Sequence, residues 1–264
     1  MTDLYVALAL SALLIFAALK KKALTVPAVL LAAALLTCIS LCTGWKSALY
    51  LAVAYAILVA VDSAVKERAE KKVEGVHKKG SARNVSQVLA NGAFAVIASV
   101  LYAILHNKAY MYVYLICVAE SCADSIASDV GVLSRKKPVS IVTFREVDTG
   151  ISGGVSALGM LSSLVMCLSL ALMGTVCVGF NLQNLLILTL VPYLGMIADS
   201  VAGALFQAKY RCAVCGKNTE LHTHCGQETI RTGGVGIITN SVVNAITNLL
   251  CGTAAYFTVS LFLK

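Results

Sequence analysis

Residues 117–159 read CVAESCADSIASDVGVLSRKKPVSIVTFREVDTGISGGVSALG. The segment opens as a hydrophobic helix carrying Glu120, Asp124 and Asp129. It passes into a loop with Arg135, Lys136, Lys137 and Arg145, then closes in a Gly/Ser turn, Gly150 to Gly154, that starts a second hydrophobic helix. Carboxylates inside an apolar helix are costly and face protein or water rather than lipid. Acids beside a basic loop and a glycine turn point to a metal ion together with phosphate.

The same alternation of apolar run and charged loop fills the chain. Of its 264 residues 59% are hydrophobic and 13% charged, where a soluble domain carries about 25% charge. A bilayer crossing takes roughly 20 apolar residues. Spans are expected at 3–19, 24–43, 47–65, 85–105, 110–131, 152–178, 184–207 and 236–263. The fold class is therefore all-α, a polytopic membrane bundle of about eight transmembrane helices. The first span does not read as a signal peptide, because no basic residue precedes it and Lys20, Lys21 and Lys22 follow. Residues 1–83 form a three-span region with a basic linker, and 84–264 a five-span core with a Cys/His loop at 208–232.

Charge orients the bundle. All of the 21 Lys and Arg residues except Lys46, Lys108 and Lys264 fall in the loops after spans 1, 3, 5 and 7. The positive-inside rule makes those loops cytoplasmic and both termini external. In the linker, helical spacing sets Lys66 beside Glu70 and Glu67 beside Lys71, a solvated amphipathic extension, with His77 solvated. Asp62 is expected simply at the interface.

Polar side chains recur in stripes on the helices. Asn84, Gln87 and Asn91 share one face at the start of span 4. They either lock helices together or wall a site. Glu120, Asp124 and Ser128 share a face of span 5, with Asp129 one residue beyond. Carboxylates so close repel unless a cation or shared proton separates them. Mg²⁺ held by one or two carboxylates plus phosphate fits; the rival is a proton or sodium relay. The turn amides offer an anion site. Its G-x-S-x-G spacing lacks the strand and histidine of a hydrolase elbow. Asp199 lies roughly two turns inside span 7 from its cytoplasmic end, and Asn240, Asn244 and Asn248 form a stripe opening span 8. ADSIAS at 123–128 resembles ADSVAG at 198–203, and each precedes a basic loop and a glycine turn, the pattern either of a parallel internal repeat or of chance in a chain rich in Ala, Gly and Ser.

Cys38, Cys42, Cys117, Cys122, Cys167, Cys177 and Cys251 lie in spans and pack as small apolar residues. Cys212 and Cys215, two residues apart, precede His222, His224 and Cys225. Such a set suits a structural tetrahedral Zn²⁺, with either histidine as fourth ligand; a redox pair is the alternative.

RNVSQVLANG, ADSIASDVG, RKKP, VDTGISGGVS, IADSVAGALFQ and the Asn-rich last span together resemble the integral-membrane family that includes the plant chloroplast phytyl-phosphate kinase. More distantly, the arrangement is similar to dolichol kinases and phosphatidate cytidylyltransferases. The resemblance covers the chain from about Arg83 onward. It implies a CTP-dependent kinase converting a prenyl monophosphate to the diphosphate at the cytoplasmic face of the cell membrane. Ser125 and Asp129 stand where relatives often carry Thr and Glu, and the Cys/His insertion is absent from the plant type.

On that reading Asp124 and Asp129 hold Mg²⁺, with Asp199 a third carboxylate. Lys136, Lys137 and Arg145 clamp phosphates. Thr149, Gly150, Ser152, Gly153 and Gly154 cradle them. Asn84, Gln87, Asn91, Asn240 and Asn244 orient nucleotide or acceptor. A cytidylyltransferase and a transporter or structural membrane protein are the competing classes. No nucleic-acid partner is expected, and an oligomer is compatible with the pattern.

Overall fold

The computed structural model describes residues 2–21, 23–73, 76 and 82–262; for residues 2, 3 and 70 only the backbone is described. Lys22, His77, Lys78, Lys79, Lys264 and the Glu70 side chain of the reading above lie outside the described residues. Eight helices follow one another: α1 (Thr2–Lys21), α2 (Val26–Thr43), α3 (Trp45–Lys72), α4 (Val85–Leu105), α5 (Ala109–Gly131), α6 (Ala157–Val178), α7 (Leu182–Phe206) and α8 (Asn240–Phe262). All except α5 are long and apolar enough to cross a membrane. The protein is thus a polytopic helix bundle, as its composition requires.

The helix missing from that set is the centre of the bundle. α5 packs against α3, α4, α6, α7 and α8, and every residue from Ala109 to Glu120 except Tyr110 is buried. A helix enclosed by others needs no lipid-facing surface, so it can carry carboxylates that an outer helix cannot. With 23 residues it is about 34 Å long, enough to span the hydrocarbon. Its apolar half is pinned by hydrogen bonds. Tyr114 donates to the Ser47 carbonyl at 2.6 Å, Tyr50 to the Leu115 carbonyl at 2.9 Å, and Tyr112 to Asn184 Oδ1 at 2.9 Å. Away from water such buried hydroxyls must find a partner, and backbone carbonyls of neighbouring helices supply it.

α3 runs on past residue 65 to Lys72 as the amphipathic extension expected there, and Lys71 pairs with Glu67 at 2.8 Å. α6 begins at Ala157 rather than 152, because the preceding residues form a strand. β1 (Val139–Ser140) pairs antiparallel with β2 (Gly154–Val155). After α7, β3 (Lys209–Arg211) is the middle strand between β4 (Asn218–Thr219) and β7 (Ile230–Gly233). β5 (Thr223–His224) and β6 (Gln227–Glu228) make a separate hairpin. In both halves, α5–α6 and α7–α8, the first helix leads into a strand that pairs with the strand just before the next helix.

The charged loops gather at one end. Leu24 and Arg83 form a backbone bridge that ties the loop after α1 to the one after α3. Lys72 Nζ donates to the Ser134 carbonyl at 2.7 Å. The Thr219 hydroxyl and Glu220 amide both donate to the Val76 carbonyl.

Candidate functional site

At that end the helices splay around a cavity of about 540 Å³. α3 contributes Asp62, α4 Gln87 and Asn91, α5 Asp124, Ser128 and Asp129, and α7 Asp199, Ser200 and Gln207. α8 contributes Asn240, Ser241 and Asn244, and the whole turn from Thr149 to Ser156 closes one side. The separated expectations for spans 5, 7 and 8 and for the glycine turn therefore meet in one space.

The i, i+4, i+8 stripe of α5 splits in function. Glu120 is buried, outside the cavity lining, and its Oε2 accepts from Asn248 Nδ2 at 2.6 Å. The same Asn248 amide donates to the Cys117 carbonyl at 2.9 Å. Glu120 is thus a helix-packing group between α5 and α8. Asp124, one turn on, faces the cavity and makes no hydrogen bond among the described residues. Asp129 Oδ2 is a buried acceptor with no hydrogen bond; Arg83 Nη2 stands 3.6 Å from it, an ion pair longer than a hydrogen bond. Asp199 Oδ2 accepts from the Thr247 hydroxyl at 2.6 Å. Asn244 Nδ2 donates to Asn91 Oδ1 at 3.1 Å, which leaves the Asn244 Oδ1 buried and without a partner.

Among the described residues, Asp124, Asp129 and Asp199 do not bring their oxygens within 4.8 Å of one another as a set of three. A cage built from protein alone is therefore absent. A carboxylate oxygen without a hydrogen bond, in the same cavity as a second carboxylate, suits Mg²⁺, which is held by one or two carboxylates and completed by substrate phosphates and water.

Several expected positions fall elsewhere. Asn84 is a cap: its side chain accepts from the Gln87 amide at 3.1 Å while Gln87 Oε1 accepts from the Asn84 amide at 3.0 Å. This reciprocal box starts α4, and Asn84 does not line the cavity. Asn84→Ala is expected to cost about 1 kcal/mol of stability, read as a lower unfolding midpoint in detergent. Lys136 and Arg145 are exposed and line neither of the two main cavities. Lys137 lines a neighbouring hollow of about 340 Å³ on the far side of Ile151 and Ser152, with Lys209 and Asp148. Burial pushes the Lys209 ammonium below its ordinary pKa, and Glu220 opposes the shift. Among the described residues the cation that does line the 540 Å³ cavity is Arg83, expected only as a topology charge. Asp62 also lines it instead of merely resting at the interface.

The glycine turn has a protein anion already. Glu220 Oε1 accepts from the Ser152 amide at 2.8 Å, and its Oε2 from Gln207 Nε2 at 2.7 Å. The turn does what a phosphate cradle would do, with a carboxylate from the Cys/His loop in that place. Cys212, Cys215, His224 and Cys225 lie outside both cavities. The Cys215 amide, and after it the His224 side chain, hold the Cys212 thiol down to about 6.

A bundle of this kind is a polytopic membrane protein, with a carboxylate-rich polar cavity at its charged end. Residues 9–252 match the family described as integral membrane protein DUF92, and the chain belongs to that family. It is 30% identical over 153 residues to an uncharacterised membrane protein of Methanocaldococcus jannaschii, a match covering 58% of this chain and 61% of that protein. It is 29% identical over 214 residues to Protein PGR of Arabidopsis thaliana, covering 70% of this chain and 72% of the plant protein. No solved structure matches. The membership expected from the motif set is thereby shown, with an archaeal and a plant relative.

Proposed function

We propose that this chain transfers the γ-phosphoryl group of CTP to a prenyl monophosphate, giving CDP and the prenyl diphosphate, at the cytoplasmic face of the cell membrane. The observation that carries the reading is the single cavity shared by Asp124, Asp129, Asp199, Arg83 and the Thr149–Ser156 turn. Its polar lining fits phosphates and a nucleotide better than it fits a prenyl chain, which the apolar helix surfaces would accommodate. Nucleotide and acceptor come from the family resemblance.

The acceptor oxygen needs no general base. A phosphate monoester has a second pKa of about 6, so at neutral pH the attacking oxygen is already an anion. The task is to bring two anions together in line. Asp124 and Asp129 would hold Mg²⁺ with phosphate oxygens, and when bound that ion neutralises charge on the transferring group. Arg83 takes the role expected of Lys136, Lys137 and Arg145. Asn91, Asn240 and Asn244 orient the nucleotide or the acceptor headgroup. In the transfer the acceptor oxygen bonds to the γ-phosphorus as the bond to the β,γ-bridging oxygen breaks, and CDP leaves with that electron pair.

A second reading has an observation of its own. The carboxylates Asp62, Asp124, Asp129, Asp199 and Glu220 face Arg83 as the one lining cation among the described residues, which suits passage of a cation. Against it, the other half of the bundle is filled by packed side chains around Tyr50, Tyr114, Leu115 and Ile116. One assay separates the classes: purified protein with Mg²⁺, CTP and geranylgeranyl phosphate. CDP with prenyl diphosphate is the expected result. Diphosphate with a CDP-lipid reassigns the chain to the cytidylyltransferases. Absence of turnover on a panel of lipid phosphates, with cation flux in proteoliposomes, replaces transfer by transport.

A further inference from the structure

The loop between α7 and α8 has almost no apolar interior. In residues 209–233 only Tyr210, Cys212 and Thr219 are buried, too little to hold two hairpins in place by hydrophobic burial. Two tight turns nevertheless face each other. The first, after β3, carries Cys212 and Cys215, with the Gly216 amide donating to the Cys212 carbonyl at 3.0 Å. The second joins β5 to β6 and carries His224 and Cys225. Cys225 and Gly226 both have positive φ, +53° and +75°, the backbone of a two-residue primed hairpin turn. A cysteine in the left-handed region is uncommon, since its Cβ opposes that conformation.

The ligand atoms of Cys212, Cys215, His224 and Cys225 all lie within 4.8 Å of one another. His224 Nδ1 is 3.5 Å from Cys215 Sγ and 3.2 Å from Cys225 Sγ. A tetrahedron with metal–sulfur bonds of about 2.3 Å and a metal–nitrogen bond of about 2.0 Å sets sulfur and nitrogen about 3.5 Å apart. The cysteines are free thiols rather than a disulfide. His222 is not part of the set: its ring packs on Tyr210 at 4.7 Å between centroids. This geometry decides between the two histidines in favour of His224.

We propose that Cys212, Cys215, His224 and Cys225 bind one Zn²⁺ through three thiolates and His224 Nδ1, and that this ion seats Glu220 on the glycine turn. Three sulfurs and one imidazole in a closed tetrahedron select zinc over oxygen-preferring cations and leave no open position for catalysis. Glu220 sits between the two ligand pairs, on the stretch from β4 to β5 whose ends the metal ties together. Thr219 and Glu220 anchor that stretch to Val76, and the Glu220 carboxylate reaches Ser152 and Gln207. The ion thus connects an otherwise coreless loop to the wall of the cavity. The site stands on its own geometry, whatever the cavity transforms.

The test uses the full chain purified in detergent under reducing conditions. Elemental analysis is expected to find one zinc per chain, and replacement by Co²⁺ to give the visible absorption of a tetrahedral thiolate complex. Iodoacetamide should label Cys215 and Cys225 only after chelation, and chelation should open 208–233 to protease while the helices stay intact. Cys212→Ser with Cys225→Ser should lose the metal, and His222→Ala should keep it. Zinc-free protein whose Cys215 labels equally with and without chelator overturns the site, as does a Cys212–Cys215 disulfide or iron in place of zinc.

Discussion

Asp124→Asn is expected to lower the proposed phosphoryl transfer by about 10²- to 10³-fold, the scale on which one well-placed electrostatic contact to a transition state operates, and to leave the bundle folded. The two halves of this expectation have separate causes. Among the described residues no donor depends on the Asp124 carboxylate, and it shares the cavity with Asp129 and Asp199. An amide of the same shape removes a negative charge from an acidic site and strands no partner. Without Mg²⁺ the variant should therefore unfold no lower than the parent. The binding half is lost. Anything that binds only the folded state stabilises it by mass action, so Mg²⁺ with CTP should raise the parent's unfolding midpoint and leave the variant's unmoved. Near-normal turnover by the variant, with the ligand-induced rise intact, would remove the carboxylate from the site and with it the proposed chemistry.

The helices were legible because lipid imposes a coarse rule. A run of about 20 apolar residues bounded by charge has few alternatives, and the 85–105 span coincides with α4. The acids of α5 and α7 were legible because they break that rule. Other features depend on contacts distant in sequence. Arg83 precedes a span by two residues and reads as a topology charge. It enters the cavity because its backbone pairs with residues 23–25 and brings the linker back across the bundle end. Lys136 and Arg145 sit in a basic loop that promised a clamp, yet the β1–β2 pairing leaves their side chains in solvent. Glu220 belongs to a loop marked by its cysteines, so nothing local linked it to Ser152. Asn84 is a different kind of miss. Asn-x-x-Gln ahead of an apolar run is a readable capping box, but Asn84 also falls on one polar stripe with Asn91, a pattern shared by helix-locking and site-lining residues.

Gly153→Ala should be the most damaging small substitution in the turn. Gly153 has a φ of +81°, and a Cβ there would overlap Ala204 of α7, backbone as well as side chain. The conformation alone costs a non-glycine residue about 1–2 kcal/mol. Gly179 isolates that part: its φ is +96° and nothing lies within 4 Å of where its Cβ would be. Gly179→Ala should cost only the conformational share. At Gly153 the overlap adds a further 1–3 kcal/mol or more, the range for overpacking a rigid contact. The only relief is to move the turn off α7. That displaces the Ser152 amide from Glu220 and changes the cavity wall next to Asp199, so transfer activity should fall together with the unfolding midpoint. Ala204→Gly in the same chain removes one methyl group and leaves the α7 backbone in the way, so it should restore little. If Gly153→Ala matched Gly179→Ala in both stability and activity, the turn would not be seated on α7, and the wall that joins the carboxylates to the glycine amides would have to be drawn differently.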